Sequence, residues 1–300
     1  MLVYETSLGA AYCDKSEDFL ISLDEESVDL IITSPPFPLT TKKSYGNYQG
    51  KEFVCWLLSF MPLVYKVLKP TGSFVIELGG TYQKGKPIRS LYQYEFLIDL
   101  CENYNFFLAE EFFWHNTAKL PSPFEWVCRR KIRAKDAISN IWWLSKSEFP
   151  KTNLKNVLIP YSDDMLRLLA DNRKLDYQRP SGHKTTKFFR KDNGGAIPSN
   201  VISCPNTESN SVYIKSCKSK GLPVHPARFP AKIPEFFIKF LTDPNDLVLD
   251  IFAGSNTTGE VAERLNRRWI SIDCDLDYVI GSAFRFKSPK YCHAKLSTMA

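Results

Sequence analysis

Residues 29–39, DLIITSPPFPL, put several kinds of reactive or binding group at the end of one apolar run. Leu30, Ile31 and Ile32 read as a buried strand, because a short continuous apolar run bounded by turn residues has that signature. The run stops at Ser34, Pro35, Pro36 and Phe37. The prolines carry no N–H and fix φ, so they end the strand and hold the Pro35 carbonyl in a rigid direction. A hydroxyl, a fixed carbonyl and an aromatic face therefore stand together where a strand gives out.

A second group of residues lies near the other end of the chain, in LVLDIFAGSNTTG. It reads as a strand, a turn of small residues and the start of a helix. Gly254 is free to take backbone angles that other residues avoid. Asn256 or Thr257 caps the helix, whose exposed amides favour an anionic or polar ligand group. The next strand, in RRWISID, ends at Asp273, about 20 residues on, where nucleotide-binding α/β units carry an acid for ribose hydroxyls. Asp273 is also a candidate helix cap, as is Asp275. The pattern is not G-x-G-x-x-G, which disfavours a dinucleotide and the nicotinamide oxidoreductases. A nucleoside without phosphates, such as S-adenosylmethionine, fits better.

With that ligand, the first cluster acquires a chemistry. An exocyclic amino group on a base is a poor nucleophile, because its lone pair is delocalised into the ring. Acceptors at Ser34 and at the Pro35 carbonyl pull the amine toward sp³ geometry, and Phe37 stacks on the base. The amine then attacks a sulfonium methyl in line, with no covalent enzyme intermediate. Methylation at cytosine C5 needs a thiolate presented in a Pro-Cys dipeptide, and no proline here is followed by cysteine.

The elements that position these residues alternate along the first half. Strands are expected in SLGAAYCD, VDLIIT, SFVIELGG, FFLAEEFFWHN and SNIWWLSKS, and helices in SEDFLISL, KEFVCWLLSFMPLVYKVL (closing at KPTG) and LYQYEFLIDLCENY. Between about 150 and 224 the chain turns polar and basic, with one helix expected in SDDMLRLLADN. That stretch is too long for an ordinary connector. Order returns with a helix at 230–241, a strand at 247–250, a helix at 257–265, a strand at 269–273 and a helix at 276–285. The alternation predicts an α/β sheet with helices on both faces.

The motifs TSPPFPLTTKKSYGN, LKPTGSF, KLPSPFEW, RRKIRAKDA, RPSGH, KDNGG, HPARFPAKIPEFF and DIFAGSNTTG occur in that order nearly end to end. Through them the chain resembles the beta-class amino-methylating DNA methyltransferases, in which the catalytic motif precedes the cofactor motif. The resemblance implies a circularly permuted, seven-stranded, mostly parallel sheet with helices on both faces. Residues 1–150 would form the catalytic half, 151–224 the target-recognition region and 225–300 the cofactor half. In this family S-P-P-F accompanies methylation of cytosine N4, whereas D-P-P-Y or N-P-P-Y usually accompanies adenine N6.

Residue by residue, the resemblance implies a catalytic loop of Ser34, Pro35, Pro36 and Phe37. S-adenosylmethionine would be held by Asp250, Phe252, Ala253, Gly254, Ser255, Asn256 and Thr257, with Asp273 on the ribose. Asp14 would sit near the adenine amino group, or else cap the helix that follows it. His225 and Pro226 would line the methionine end. The target base must be flipped out of duplex DNA to reach this site. Arg129, Arg130, Lys131 and Arg133 are candidates for phosphate contacts. Arg179, Ser181, His183, Lys184, Lys187 and Lys191 are candidates for the grooves, where Arg or Lys to guanine is the commonest specific contact.

Three hundred residues with a formal charge of +6 suit a globular protein with an anionic partner. No apolar run is long enough to span a bilayer, and the N-terminal stretch carries no basic n-region. The eight cysteines include no C-x-x-C pair, so free thiols in a reducing compartment are expected rather than a zinc site. The expected setting is cytoplasmic and nucleoid-associated. The enzyme is expected to be a monomer, sharing its site with a cognate restriction endonuclease without binding it. The rival readings are an adenine-N6 methyltransferase of the same fold and a non-catalytic DNA-binding regulator.

Overall fold

The computed structural model describes residues 1–38, 48, 50–170, 191–207 and 211–292. Strands β1 (Leu2–Glu5) and β2 (Gly9–Cys13) lead to helix α1 (Ser16–Ser22) and strand β3 (Val28–Thr33). Helices α2 (Gly50–Leu58) and α3 (Met61–Val67) precede β4 (Leu68–Gly79), α4 (Tyr92–Asn103), β5 (Phe107–His115) and β6 (Ile138–Ser145). Helix α5 (Asp163–Ala170) follows, then β7 (Val201–Ser203), α6 (Val212–Ser219), α7 (Lys232–Leu241) and β8 (Leu247–Asp250). Helix α8 (Thr257–Arg264), β9 (Arg268–Asp273), α9 (Leu276–Ser282) and β10 (Lys290–Tyr291) close the described chain.

Among the described residues one sheet runs β10-β1-β2-β9-β8-β3-β4-β6-β5-β7. From β2 to β4 every neighbouring pair is parallel, whereas β6 runs antiparallel to both β4 and β5. The stretch β2-β9-β8-β3-β4-β6-β5 supplies the seven expected strands, and β1, β10 and β7 extend the sheet at its two edges. Every residue of β3 is buried, as its unbroken apolar run requires for a central parallel strand. Its residue Ile31 joins a core with Leu57, Val64, Phe74, Phe96, Trp142 and Leu249.

Three local expectations are corrected. The single helix expected over 51–68 is two, because Pro62 lacks an N–H and its ring would strike the carbonyl of Leu58. The KPTG stop is an irregularity inside β4: pairing with β3 shifts between Val28↔Leu68 and Leu30↔Ser73. The stretch before 224, read as having little periodicity, contains α6, whose Tyr213, Ile214 and Cys217 are buried with Leu222, Val224 and Phe284 around them.

The chain divides into two compact units, one of residues 1–152 and 200–300 and the other of residues 153–199. The smaller unit lies within the region expected over 151–224. β7 pairs with β5 and α6 packs on the larger unit, and this is what draws 200–224 out of it. Within the smaller unit, Ile159 bridges Ala196, and the Tyr161 hydroxyl donates to Asp192 and accepts from the Asn193 amide.

Candidate functional site

The order β9-β8-β3 places the chain's switch point at β8, whose neighbours on either side lead away in opposite directions. Open α/β sheets bind ligands at the C-terminal ends of strands flanking such a point. Both expected clusters lie there, one at the ends of β8 and β9 and the other at the ends of β3 and β4.

In the first, Gly254 takes φ +51, a left-handed backbone conformation. A Cβ on it would lie 2.8 Å from Cε1 of His225, so the glycine also makes room for that ring. The Gly254 amide donates to Asp273 Oδ2 at 2.7 Å, and the Asp275 amide donates to Oδ1 at 3.0 Å. Burial pushes the Asp273 carboxyl above its ordinary pKa, and these amides act against it. Asp14 lies alongside, because its amide donates to the Asp273 carbonyl at 3.1 Å and the strands ending at both residues are parallel. Its carboxylate pairs with the Met1 ammonium at 3.0 Å, which holds its pKa low. The His225 ring sits edge-on to Tyr278 and close to the Ala227 carbonyl, 2.6 Å from Nδ1. Pro226 is exposed beside it.

Several residues expected to touch a cofactor turn their side chains into the protein instead. Asp250 is 4% exposed; it accepts from Thr33 at 2.7 Å, from Thr258 at 2.6 Å and from the Phe252 amide at 3.1 Å. Burial pushes its pKa up to about 6. Its two hydroxyl partners tie β3 and α8 to the end of β8. Asn256, at φ 53, caps α8 by accepting from the Gly259 amide and also bonds Ser271 and the Tyr4 hydroxyl. Ser255 receives Arg285 through both its hydroxyl and its carbonyl, and Thr257 is buried with it. The Phe252 ring packs against Trp56 and Phe60. The loop 252–256 therefore offers its backbone to the site while its side chains brace it. The short carbon chains of Asp, Asn, Ser and Thr bond their own neighbourhood, as such residues do at turns and caps.

In the second cluster the Ser34 hydroxyl donates to Glu77 Oε2 at 2.7 Å. Glu77 is 2% exposed, and burial pushes its pKa up to about 7 against the opposing effects of Ser34, Ser139 and the charge of Lys119. Its Oε1 is buried without a hydrogen-bond partner. The donated proton leaves the lone pairs of the Ser34 oxygen available as acceptors. Phe37 lies over Gly79, where a Cβ would come within 2.7 Å of its ring. The Gly79 and Leu78 carbonyls are taken by Tyr92 and Gln93 of α4. One residue past Phe37 a cavity of about 300 Å³ opens, lined by Pro38, Gly50, Thr81, Tyr82, Gln83, Lys84 and Ser90.

Glu77 is the functional candidate that the sequence reading missed. Its signal was an acid inside the otherwise apolar strand SFVIELGG, where burial without function would be costly. Of the expected DNA contacts, Arg129 and Arg130 are exposed and share Glu125 at 3.2 and 2.8 Å. Lys131 is exposed, and Arg133 donates to the Pro87 carbonyl at 2.9 Å. Lys191 is exposed in the smaller unit. Arg179, Ser181, His183, Lys184 and Lys187 lie outside the described residues.

The sequence profile of a family described as DNA methylase matches residues 28–283. The chain is 52% identical to the Type II methyltransferase M.PvuII of Proteus hauseri, over 98% of this chain and 88% of the relative. It is 27% identical to the Type II methyltransferase M.HpaI of Haemophilus parainfluenzae, over 89% of this chain and 70% of that one. The solved PvuII DNA methyltransferase (cytosine-N4-specific) aligns with a TM-score of 0.78 at 46% identity, covering 98% of this chain and 92% of that one. A DNA modification methylase from Thermus thermophilus, complexed with S-adenosyl-L-methionine, aligns with a TM-score of 0.56 at 20% identity, covering 92% and 91%, a likeness of fold.

Proposed function

The chain belongs to the DNA methylase family, and on that premise we propose that it methylates the N4 amino group of cytosine in duplex DNA. The observation that carries this reading is the hydrogen bond from Ser34 to buried Glu77 at the end of β3, beside Phe37. The site fits S-adenosylmethionine. At the end of β8 the tight turn at Gly254 packs its backbone against the His225 ring with no room for a Cβ, and Asp273 presents a carboxylate at the end of the neighbouring strand. When bound, that cofactor supplies a sulfonium methyl as the electrophile. Asp273 would hold its ribose, the 252–255 backbone its polar end, and Asp14 and His225 the two flanks.

The chain's own work is on the base. Phe37 stacks on the flipped cytosine, and the Ser34 oxygen and Pro35 carbonyl accept from the N4 amino group. An amine bonded in this way pyramidalises, and its lone pair is released from the ring to attack the methyl. One N–H proton then passes to the Ser34 oxygen as Ser34 gives its own to Glu77. A carboxyl with a pKa of about 7 is suited to receive it near neutral pH.

The relatives named as Type II methyltransferases support a role in a restriction-modification system. Its cognate endonuclease would share the recognition site without binding this chain, which would act as a cytoplasmic monomer. No helix among the described residues is long and apolar enough to cross a membrane.

The test is incubation of the purified protein with duplex DNA and methyl-labelled S-adenosylmethionine, then digestion and identification of the labelled nucleoside by mass. N4-methylcytosine is expected. N6-methyladenine would keep the fold and refute the assignment of the base. Absence of label despite cofactor binding would favour a silent DNA-binding protein.

A further inference from the structure

We propose that Leu120 is the side chain that enters the duplex when the target base leaves it. The inference rests on the duplex-DNA reading above and assigns the group that offsets the cost of base flipping. Extruding a base breaks its stacking on two neighbours and leaves a gap walled by two apolar faces. That costs a few kcal/mol per step, and apolar wedges inserted between base steps are a known way of compensating for it.

Residues 116–137 connect β5 to β6. His115 pairs with Ile138, and Ser139 pairs with Gly79, the last residue of β4. The excursion therefore leaves the sheet at the edge that carries Ser34 and Phe37. Lys119 is close enough for its charge to bear on Glu77. Its neighbour Leu120 is 79% exposed.

A single exposed leucine is ordinary, but this one stands on a fixed backbone. The Lys119 carbonyl receives Lys135 Nζ at 3.2 Å, the Pro121 carbonyl receives the Cys128 thiol at 3.6 Å, and the Ser122 carbonyl receives the Asp136 amide at 3.0 Å. The excursion is tied in turn to the turn after β4 by the Arg89–Asp136 ion pair and by Arg133 on the Pro87 carbonyl. Lys119, Arg129, Arg130, Lys131, Arg133 and Lys135 lie on the same segment as Leu120, against the acids Glu125 and Asp136. Cations of this density suit phosphates on either side of a disrupted step. The segment thus presents an apolar tip in a basic setting, held rigidly beside the site.

The experiment uses a duplex site first mapped with the wild-type protein. Single-turnover methylation is measured with the target cytosine paired to guanine and with it opposite an abasic position, where flipping is cheap. Leu120→Ala is expected to slow methylation of the paired duplex about tenfold or more, yet to stay within about twofold of wild type on the abasic duplex. Leu120→Phe should keep most of the rate. Phe149→Ala, equally exposed at 82% but beyond the opposite end of β6, should be unchanged on both. With 2-aminopurine in place of the target cytosine, the fluorescence rise on flipping should shrink for Leu120→Ala alone. The proposal is overturned if Leu120→Ala matches wild type on the paired duplex, or is slowed by one factor on both. It is equally overturned if Phe124→Ala, and not Leu120→Ala, shows the abasic rescue. A wild-type protein that labels no duplex would refute the underlying DNA reading, a result seen before any variant is compared.

Discussion

Replacing Glu77 by glutamine separates the charge of that side chain from its shape. The amide keeps an oxygen to accept from Ser34, and its NH₂ takes the place of an Oε1 that has no partner. The electrostatic change is large because the group is buried. Raising a carboxyl from 4.5 to about 7 on folding corresponds to about 3 kcal/mol, at about 1.4 kcal/mol per decade of proton affinity. Below pH 4.5 Glu77 is protonated in both folded and unfolded chains, and this contribution to stability is fully present. As the pH rises toward 7 the unfolded chain ionises first, so the contribution is lost, and above the folded value the loss is complete. The glutamine variant has nothing to titrate there. Urea unfolding at a series of pH values should therefore show wild type losing about 3 kcal/mol relative to Glu77→Gln between pH 4.5 and about 7.5. Asp250 and Asp273 are also raised by burial, but they remain in both proteins and cancel in the difference. Activity should move the other way, because an amide takes no proton. The methylation rate is expected to fall by about 10²–10⁴, and the wild-type rise in rate through pH 7 should vanish. A parallel pair of stability profiles would refute the buried charge. An unchanged rate with an unchanged pH profile would refute the proton transfer.

Ser34→Ala should bind S-adenosylmethionine normally in a calorimetric titration and lose most of the methylation rate; a rate near wild type would sink the acceptor role. Asp273→Ala should weaken cofactor binding by roughly 10- to 100-fold, the range expected for hydrogen bonds to a charged group. Asp273→Asn, which keeps an acceptor for the Gly254 amide, separates support of the loop from binding of the ribose, and unaltered affinity in both would refute the assignment. Gly79→Ala forces Phe37 to move, since the new Cβ would sit 2.7 Å from its ring. The fold should survive while the methylation rate falls about tenfold, and unchanged kinetics would show that Phe37 does not place the base.

Both clusters were legible in the sequence because each is punctuated locally. Prolines stop β3, and small residues mark the turn after β8. What completes the second cluster and what joins it to the first were not legible. The Ser34–Glu77 and Thr33–Asp250 bonds span 43 and 217 residues, and no pattern within a strand announces a partner so distant. Asn256 caps α8 as its type and place predict, while the side chain of Asp250, which the resemblance sets at the cofactor, bonds Thr33 and Thr258, because polar side chains that leave water need partners. The break at Pro62 was available to a stricter reading of proline in a helix. The pairing of β7 with β5 was not, because composition is shared across 151–224 while strand pairing is not.

Leu30 of β3 is paired with Val248 of β8, 218 residues later in the chain. During synthesis at roughly 5–20 residues per second, that edge of the strand waits about 10–40 s for its neighbour. Until then a strand carrying the apolar run Leu30–Ile32 presents unpaired amides and carbonyls, the condition under which nascent chains pair with one another. Yield of the native protein should therefore depend on how fast ribosomes run and how crowded nascent chains are. The half carrying Ser34 also exists for the whole of that interval without the loop 252–256, which follows Val248 and completes the site.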